Sequence, residues 1–361
     1  EILELQGFKP LESDDPGEVV YSVDMSSPCT LNLDIKSLIK DPYKNSERVT
    51  TAILKARKRL QRAMTALYPG HLVLSFDRSM IYESLIKKIC DENQVPTTPM
   101  VPRQLGDYMC VPFGDILKRW IMPNTVTKAI HVEKYFNSSL EAYRIEAYPY
   151  YLDLDNQTNM LKSFNRPVMM VDDILDKGYR IKEIEPVMRR NNVKIRKIFV
   201  GVLSGRGKAL MESKNIDIET AYFIPRIRVW FNEGKMYPFI GGDAVWKADA
   251  PERNMIPSVN LILPYASPSF IKGASIASIY HLSEIAIENS KEILVAIEEE
   301  YQRENDRLLT FSRLGEVFVY PRFPDKGDDI RYDVNRKVSE YLDLDLETLR
   351  KLKKMLVVDK R

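Results

Sequence analysis

Asp172, Asp173 and Asp176 stand close together in "PVMMVDDILDKGYRI", residues 167–181. An apolar run that ends in Asp-Asp needs water or a cationic partner at that point, because a carboxylate is costly to bury alone. Gly178 follows, and glycine lets backbone approach a ligand closely. Carboxylates so placed can hydrogen-bond sugar hydroxyls or hold a divalent cation that offsets a ligand's charge. The amides of Lys177 to Arg180 would then receive an anion at a helix N-terminus. The plain alternative is a strand-to-helix turn with solvated acids and an N-cap.

Such a site needs an open α/β sheet, where ligands bind beyond the carboxyl ends of the strands. The flanking patterns supply one. Pro167 to Val171 reads as a buried strand, Asp172 to Tyr179 as its loop, and the stretch to Asn192 as a helix that Pro186 either kinks or delays. "KIRKIFVGVL" reads as a further buried strand and "GKALMES" as a short helix. Upstream, Val49, Ile53, Ala56, Leu60, Met64 and Leu67 repeat at helical spacing until Pro69-Gly70 stops them. "HLVLSF" then reads as a strand, "DRSM" as a polar loop, and Ile81, Leu85, Ile86, Ile89 and Cys90 as one face of a helix. "AYFI", "RIRVWF" and "KMYPFI" read as strands, the last two joined as a hairpin through Asn232-Glu233-Gly234. Ser275 to Leu309 and "DLETLRKLKKML" read as C-terminal helices.

The composition suits a globular chain: 361 residues, 44% hydrophobic and 29% charged. The expected division is an N-terminal extension over 1–44, with "ESDDPGE" as a loop. A core over 45–250 follows, with a hood over 92–166, and then a mainly helical appendage over 251–361. Lys plus Arg number 53 against 51 Asp plus Glu, a formal charge of +2, so no global field points to nucleic acid or an anionic membrane. The three cysteines, Cys29, Cys90 and Cys110, and the three histidines, His71, His131 and His281, form no zinc pattern and no disulfide framework. No apolar stretch reaches the roughly 18 residues of a membrane span. A cytoplasmic setting is expected. The chain opens on Glu1 rather than Met, which leaves room for a preceding segment.

"VMMVDDILDKG" resembles the phosphoribosyl-pyrophosphate motif of type I phosphoribosyltransferases: apolar residues, two acids, a third acid after two intervening residues, then usually Thr-Gly. The resemblance implies a mostly parallel α/β sheet flanked by helices. It implies that Asp172 and Asp173 hold ribose hydroxyls directly or through magnesium, and that Asp176, Lys177, Gly178, Tyr179 and Arg180 cradle the 5-phosphate. Lys177 stands where Thr is usual, and Tyr179-Arg180 where small hydroxyl residues complete the cradle, so charge-assisted bonds from Lys177 and Arg180 would replace neutral donors. Around "DRSM", Asp77, Arg78 and Ser79 would take the diphosphate. "YPFIGGD" is similar to the base-binding segment of purine phosphoribosyltransferases, which would give Phe239 and Ile240 to the base and Asp243 to magnesium.

The implied function is transfer of a phosphoribosyl group between phosphoribosyl pyrophosphate and a nucleobase-like acceptor, with Mg2+ as cofactor. The altered loop motivates an alternative, a non-catalytic nucleotide sensor or scaffold on the same fold. "DDILD" also fits the helix-borne motif of isoprenyl diphosphate synthases, an all-helical fold. Dimers are common in the resembled family, and the C-terminal helices offer a surface to a protein partner.

Overall fold

The computed structural model describes residues 10–11, 20–21, 26–32, 35–102, 104–117, 120–137, 139–148, 151–247, 254–327 and 330–358. The expected "ESDDPGE" loop lies outside them. Among the described residues, the helices of eight residues or more are α1 (Glu47–Leu67), α2 (Arg78–Glu92), α3 (Leu154–Lys162), α4 (Tyr179–Arg190), α5 (Gly205–Ser213), α6 (Ile276–Asn305) and α7 (Val338–Val358). α1 begins where Ser46 can cap it, the hydroxyl accepting from the Val49 N–H at 3.4 Å. No helix among the described residues is long and apolar enough to cross a membrane.

The chain divides into two compact units. Unit 1 comprises Glu1–Ser75, Phe136–Ala142 and Arg228–Arg361; unit 2 comprises Phe76–Tyr135 and Tyr143–Ile227. The boundaries expected from the sequence, at 45 and 250, separate the first helix from the last ones. In the fold α1 packs on α6 and α6 on α7, so the first helix and the last two share unit 1. The apolar stripe of α1 demands a partner, but nothing in its spacing says that the partner lies beyond residue 275.

The core of unit 1 joins Val49, Ile53 and Leu60 to Ile287, Leu294 and Tyr301, with Leu342 and Leu346 from α7. Phe239, Phe311, Phe323, Tyr332 and Tyr341 form an aromatic cluster in that core. Residues 235–240 are not the expected strand: Glu233–Met236 is a helical turn, and Pro238, which cannot donate to a ladder, precedes Phe239 at φ +64°.

Unit 2 is built on five strands, β1 (Met109–Pro112), β2 (Val126–Thr127), β3 (Val168–Leu175), β4 (Ile195–Ser204) and β5 (Ile218–Ile224), in the order β5-β4-β3-β1-β2. Every pairing is parallel. All residues of β3 are buried, as the central strand of a sheet covered on both faces requires. α4 and α5 add Ile181, Ile184, Met188 and Met211 to its core. This is the expected α/β architecture with a mostly parallel sheet flanked by helices.

Three readings change here. The expected hood over 92–166 contributes β1 and β2 to the sheet itself. The strand of "HLVLSF" forms at Leu74–Asp77 and lies outside the five-stranded sheet. Asp172 and Asp173 are strand residues rather than loop residues, because the β3–β4 ladder continues through the pairs Asp172↔Val200 and Leu175↔Leu203. Acids borne on a strand also exclude the all-helical isoprenoid reading.

Candidate functional site

The strand order of unit 2 reverses between β1 and β3. From β1 the chain goes outward to β2, then returns to β3 on the other side and continues to β4 and β5. Such a switch point leaves a crevice beyond the carboxyl ends of the two strands, since their connections leave in opposite directions. Asp172 and Asp173 sit at that end of β3, and residues 113–117 follow β1.

The acids and this loop hold each other. The Asp115 and Ile116 N–H groups donate to Asp173 Oδ2 at 2.9 Å and Oδ1 at 2.7 Å. The Asp173 N–H donates to Asp172 Oδ1 at 2.8 Å. Gly114 lies so close that a Cβ there would stand 2.5 Å from Asp173 Oδ1 and 2.6 Å from Asp172 Oδ1. No larger residue fits beside two fixed carboxylates. The loop is tied down further by Arg78, whose guanidinium donates to the Ile116 carbonyl at 2.8 Å.

Beyond the strand, Gly178 caps α4 with φ +71°, a left-handed conformation that glycine adopts at little cost. The turn brings Arg180 back over the acids. Its Nη1 lies 2.5 Å from Asp172 Oδ1 and 3.5 Å from Asp173 Oδ2. Asp172 and Asp173 are 4% and 2% exposed, so this guanidinium is what makes their burial tolerable. Burial pushes the Asp172 carboxyl up to about 6, with Arg180 opposing the rise and Asp173 adding to it. Burial also works against the Arg180 charge, but Asp172, Asp173, Asp115 and Glu133 together hold its pKa above the ordinary value.

Asp176 is engaged separately. It accepts from Ser204 Oγ at 2.8 Å and from both Nε and Nη2 of Arg206, at 3.2 and 2.8 Å. Tyr179, exposed at the turn, meets Tyr143 with ring centroids 4.8 Å apart. Lys134 Nζ lies 5.9 Å from the Tyr143 ring and 5.8 Å from the Tyr179 ring, and Lys177 Nζ lies 5.9 Å from Tyr179. Two cations therefore flank the Tyr143–Tyr179 pair.

Of the residues singled out in the sequence, unit 2 brings together Asp172, Asp173, Asp176, Lys177, Gly178, Tyr179 and Arg180, with Arg78 reaching the neighbouring loop. Asp77 and Ser79 are exposed around the start of α2, which begins directly after the strand without the expected loop. Phe239, Ile240 and Asp243 belong to unit 1. Phe239 and Ile240 are core residues, 0% and 1% exposed, with no face left for a base, and Asp243 pairs with Lys235 Nζ at 2.6 Å. Residues 113–117, Ser204, Arg206, Lys134 and Tyr143 went unread as site residues. A signal existed for two of these segments: "MCVPFGD" and "FVGVLSGRG" end an apolar run in polar residues and glycine, as "VMMVDDILDKG" does.

The donor set as arranged does not fit magnesium. Mg2+ needs near-octahedral oxygens at roughly 2.1 Å, whereas Asp172 Oδ1 and both Asp173 oxygens already accept N–H groups. At roughly 4 Å and an effective dielectric of about 20, a divalent ion and a guanidinium repel by about 8 kcal/mol. A divalent ion would therefore compete with the guanidinium for those oxygens. Among the described residues no group of three or more His, Cys, Asp or Glu side chains is disposed to hold a metal ion.

No family model matches the chain, and no curated protein matches it. Among solved structures, it is similar to a purine phosphoribosyltransferase from Pyrococcus horikoshii at 14% identity and a TM-score of 0.25, over 43% of this chain and 86% of that one. It is also similar to the AQ2163 protein from Aquifex aeolicus at 13% identity and a TM-score of 0.25, over 54% of this chain and 86% of that one.

Proposed function

We propose that unit 2 binds a ligand carrying a 5-phosphoribosyl group, phosphoribosyl diphosphate or a nucleotide, at the rim of β1 and β3, and that it does so as a binding module. One observation carries this reading: the buried acid pair sits at the switch point of a parallel sheet and is paired with Arg180 from the first turn of α4, which follows the loop that would receive the phosphate. Asp172 faces the ribose hydroxyls, Lys177 faces the phosphate while Arg180 holds the acids, and the Tyr143 and Tyr179 rings, tilted 58° to each other, offer aromatic faces to a base.

The second reading is a phosphoribosyltransferase. It is favoured by the acid pair and Gly178 holding the positions that the resembled motif gives them. In that case the chain's residues position the donor and exclude water, and no side-chain nucleophile takes part.

Calorimetry with phosphoribosyl diphosphate and with AMP, paired with an assay for released diphosphate in the presence of adenine, guanine, hypoxanthine or uracil, separates the two. Binding without release supports the module. Release makes the chain a transferase, and absence of binding with either ligand removes both readings.

A further inference from the structure

We propose that Arg180 is the resident counter-ion of this rim, so that a phosphoribosyl ligand is held there without a divalent metal. This rests on the ligand reading above and says how that ligand's charge is managed. Arg180 occupies the second residue of α4, at the positive end of the helix dipole, where a cation is disfavoured. Its placement there is explained by the acids it spans, Asp172 and Asp173.

The hydrogen bonds point the same way. Of the four carboxylate oxygens, Asp172 Oδ2 alone accepts nothing from the described residues, the other three being taken by backbone N–H groups or the guanidinium. One open oxygen suits a ribose hydroxyl, which needs a single acceptor. It does not suit a chelated ion, which needs several oxygens in fixed geometry. Gly114 leaves no room for the pair to spread apart, since its backbone already abuts both carboxylates. Lys177 and Lys134, both beside Tyr179, supply further positive charge for the phosphate. Arg180 is thus a positioning residue that fixes the acids and sets the charge of the rim.

The test is calorimetry of the native chain with phosphoribosyl diphosphate and with ribose 5-phosphate, once in excess EDTA and once in excess magnesium chloride. The expected result is the same affinity in both buffers to within about twofold, a difference well under 1 kcal/mol. In Arg180→Gln, the EDTA affinity falls about tenfold or more and magnesium restores part of it, a rescue that a merely structural role would not produce. Arg180→Lys keeps most of the metal-free affinity. Native binding that requires magnesium overturns the counter-ion proposal and leaves the ligand reading standing. Absence of binding in both buffers overturns the ligand reading itself. The native comparison needs no variant to fold.

Discussion

Two segments of this chain share one pattern, an apolar run closing in glycine and aspartate, and the fold uses them in opposite ways. "VMMVDDILDKG" ends a central parallel strand at the switch point of unit 2, where each acid meets a cation or a loop amide. "YPFIGGD" in unit 1 sends its aromatic and its isoleucine into the core, and Phe239 packs against Phe311, Tyr332 and Tyr341. The pattern alone does not make a site. What differs is the surroundings: beyond β3 lies the start of α4, with Arg180 over the acids, whereas Phe239 is surrounded by other rings.

Two truncations of similar energetic cost separate these segments. Asp173→Ala removes the acceptor of two loop amides and a partner of Arg180, and costs about 3–5 kcal/mol, the range for breaking a buried ion pair. Phe239→Ala opens a cavity in unit 1 and costs about 3–5 kcal/mol as well. Denaturant unfolding should register both, while calorimetry with phosphoribosyl diphosphate should lose its signal in the first and keep it in the second. Equal loss of binding in both would return Phe239 to the site.

A smaller effect appears with pH. Folded Asp172 keeps its proton up to about 6, against an ordinary 3.8, so between those values the folded chain binds more protons than the unfolded one. Stability therefore falls as pH rises through that window, by an amount on the order of 3 kcal/mol from this group. Asp172→Asn should flatten the slope in unfolding experiments between pH 4 and 6.

The smallest effect is steric. Gly114→Ala forces a methyl against both carboxylates, and overpacking of this kind costs about 1–3 kcal/mol. The ligand affinity of unit 2 should drop with it, because the acids and the loop must part. Thermal unfolding together with calorimetry checks this, and unchanged affinity would detach the 113–117 loop from the site.

How much of this was legible follows from the range of the interactions involved. β3, its turn and α4 are local: a greasy run, acids, a glycine and a helical face follow one another in sequence. Even there the strand ran further than expected, since the ladder to β4 carries through the acids. β1 is only Met109–Pro112, set among prolines, and its place beside β3 comes from pairing with Val168–Val171, which no local pattern announces. The role of Arg180 was half visible. Its charge and position stood in the sequence, but whether it faced an external phosphate or the chain's own acids depended on a left-handed Gly178 and on how the turn folds back. The fate of Phe239 was not visible, because its ring partners come from residues 311–341.

The most direct measurement is hydrogen–deuterium exchange of the native chain with and without phosphoribosyl diphosphate, in buffer containing EDTA. Added protection is expected at residues 113–117 and 176–181, with 237–243 unchanged. Protection at 237–243, with none at the β3 rim, would contradict it.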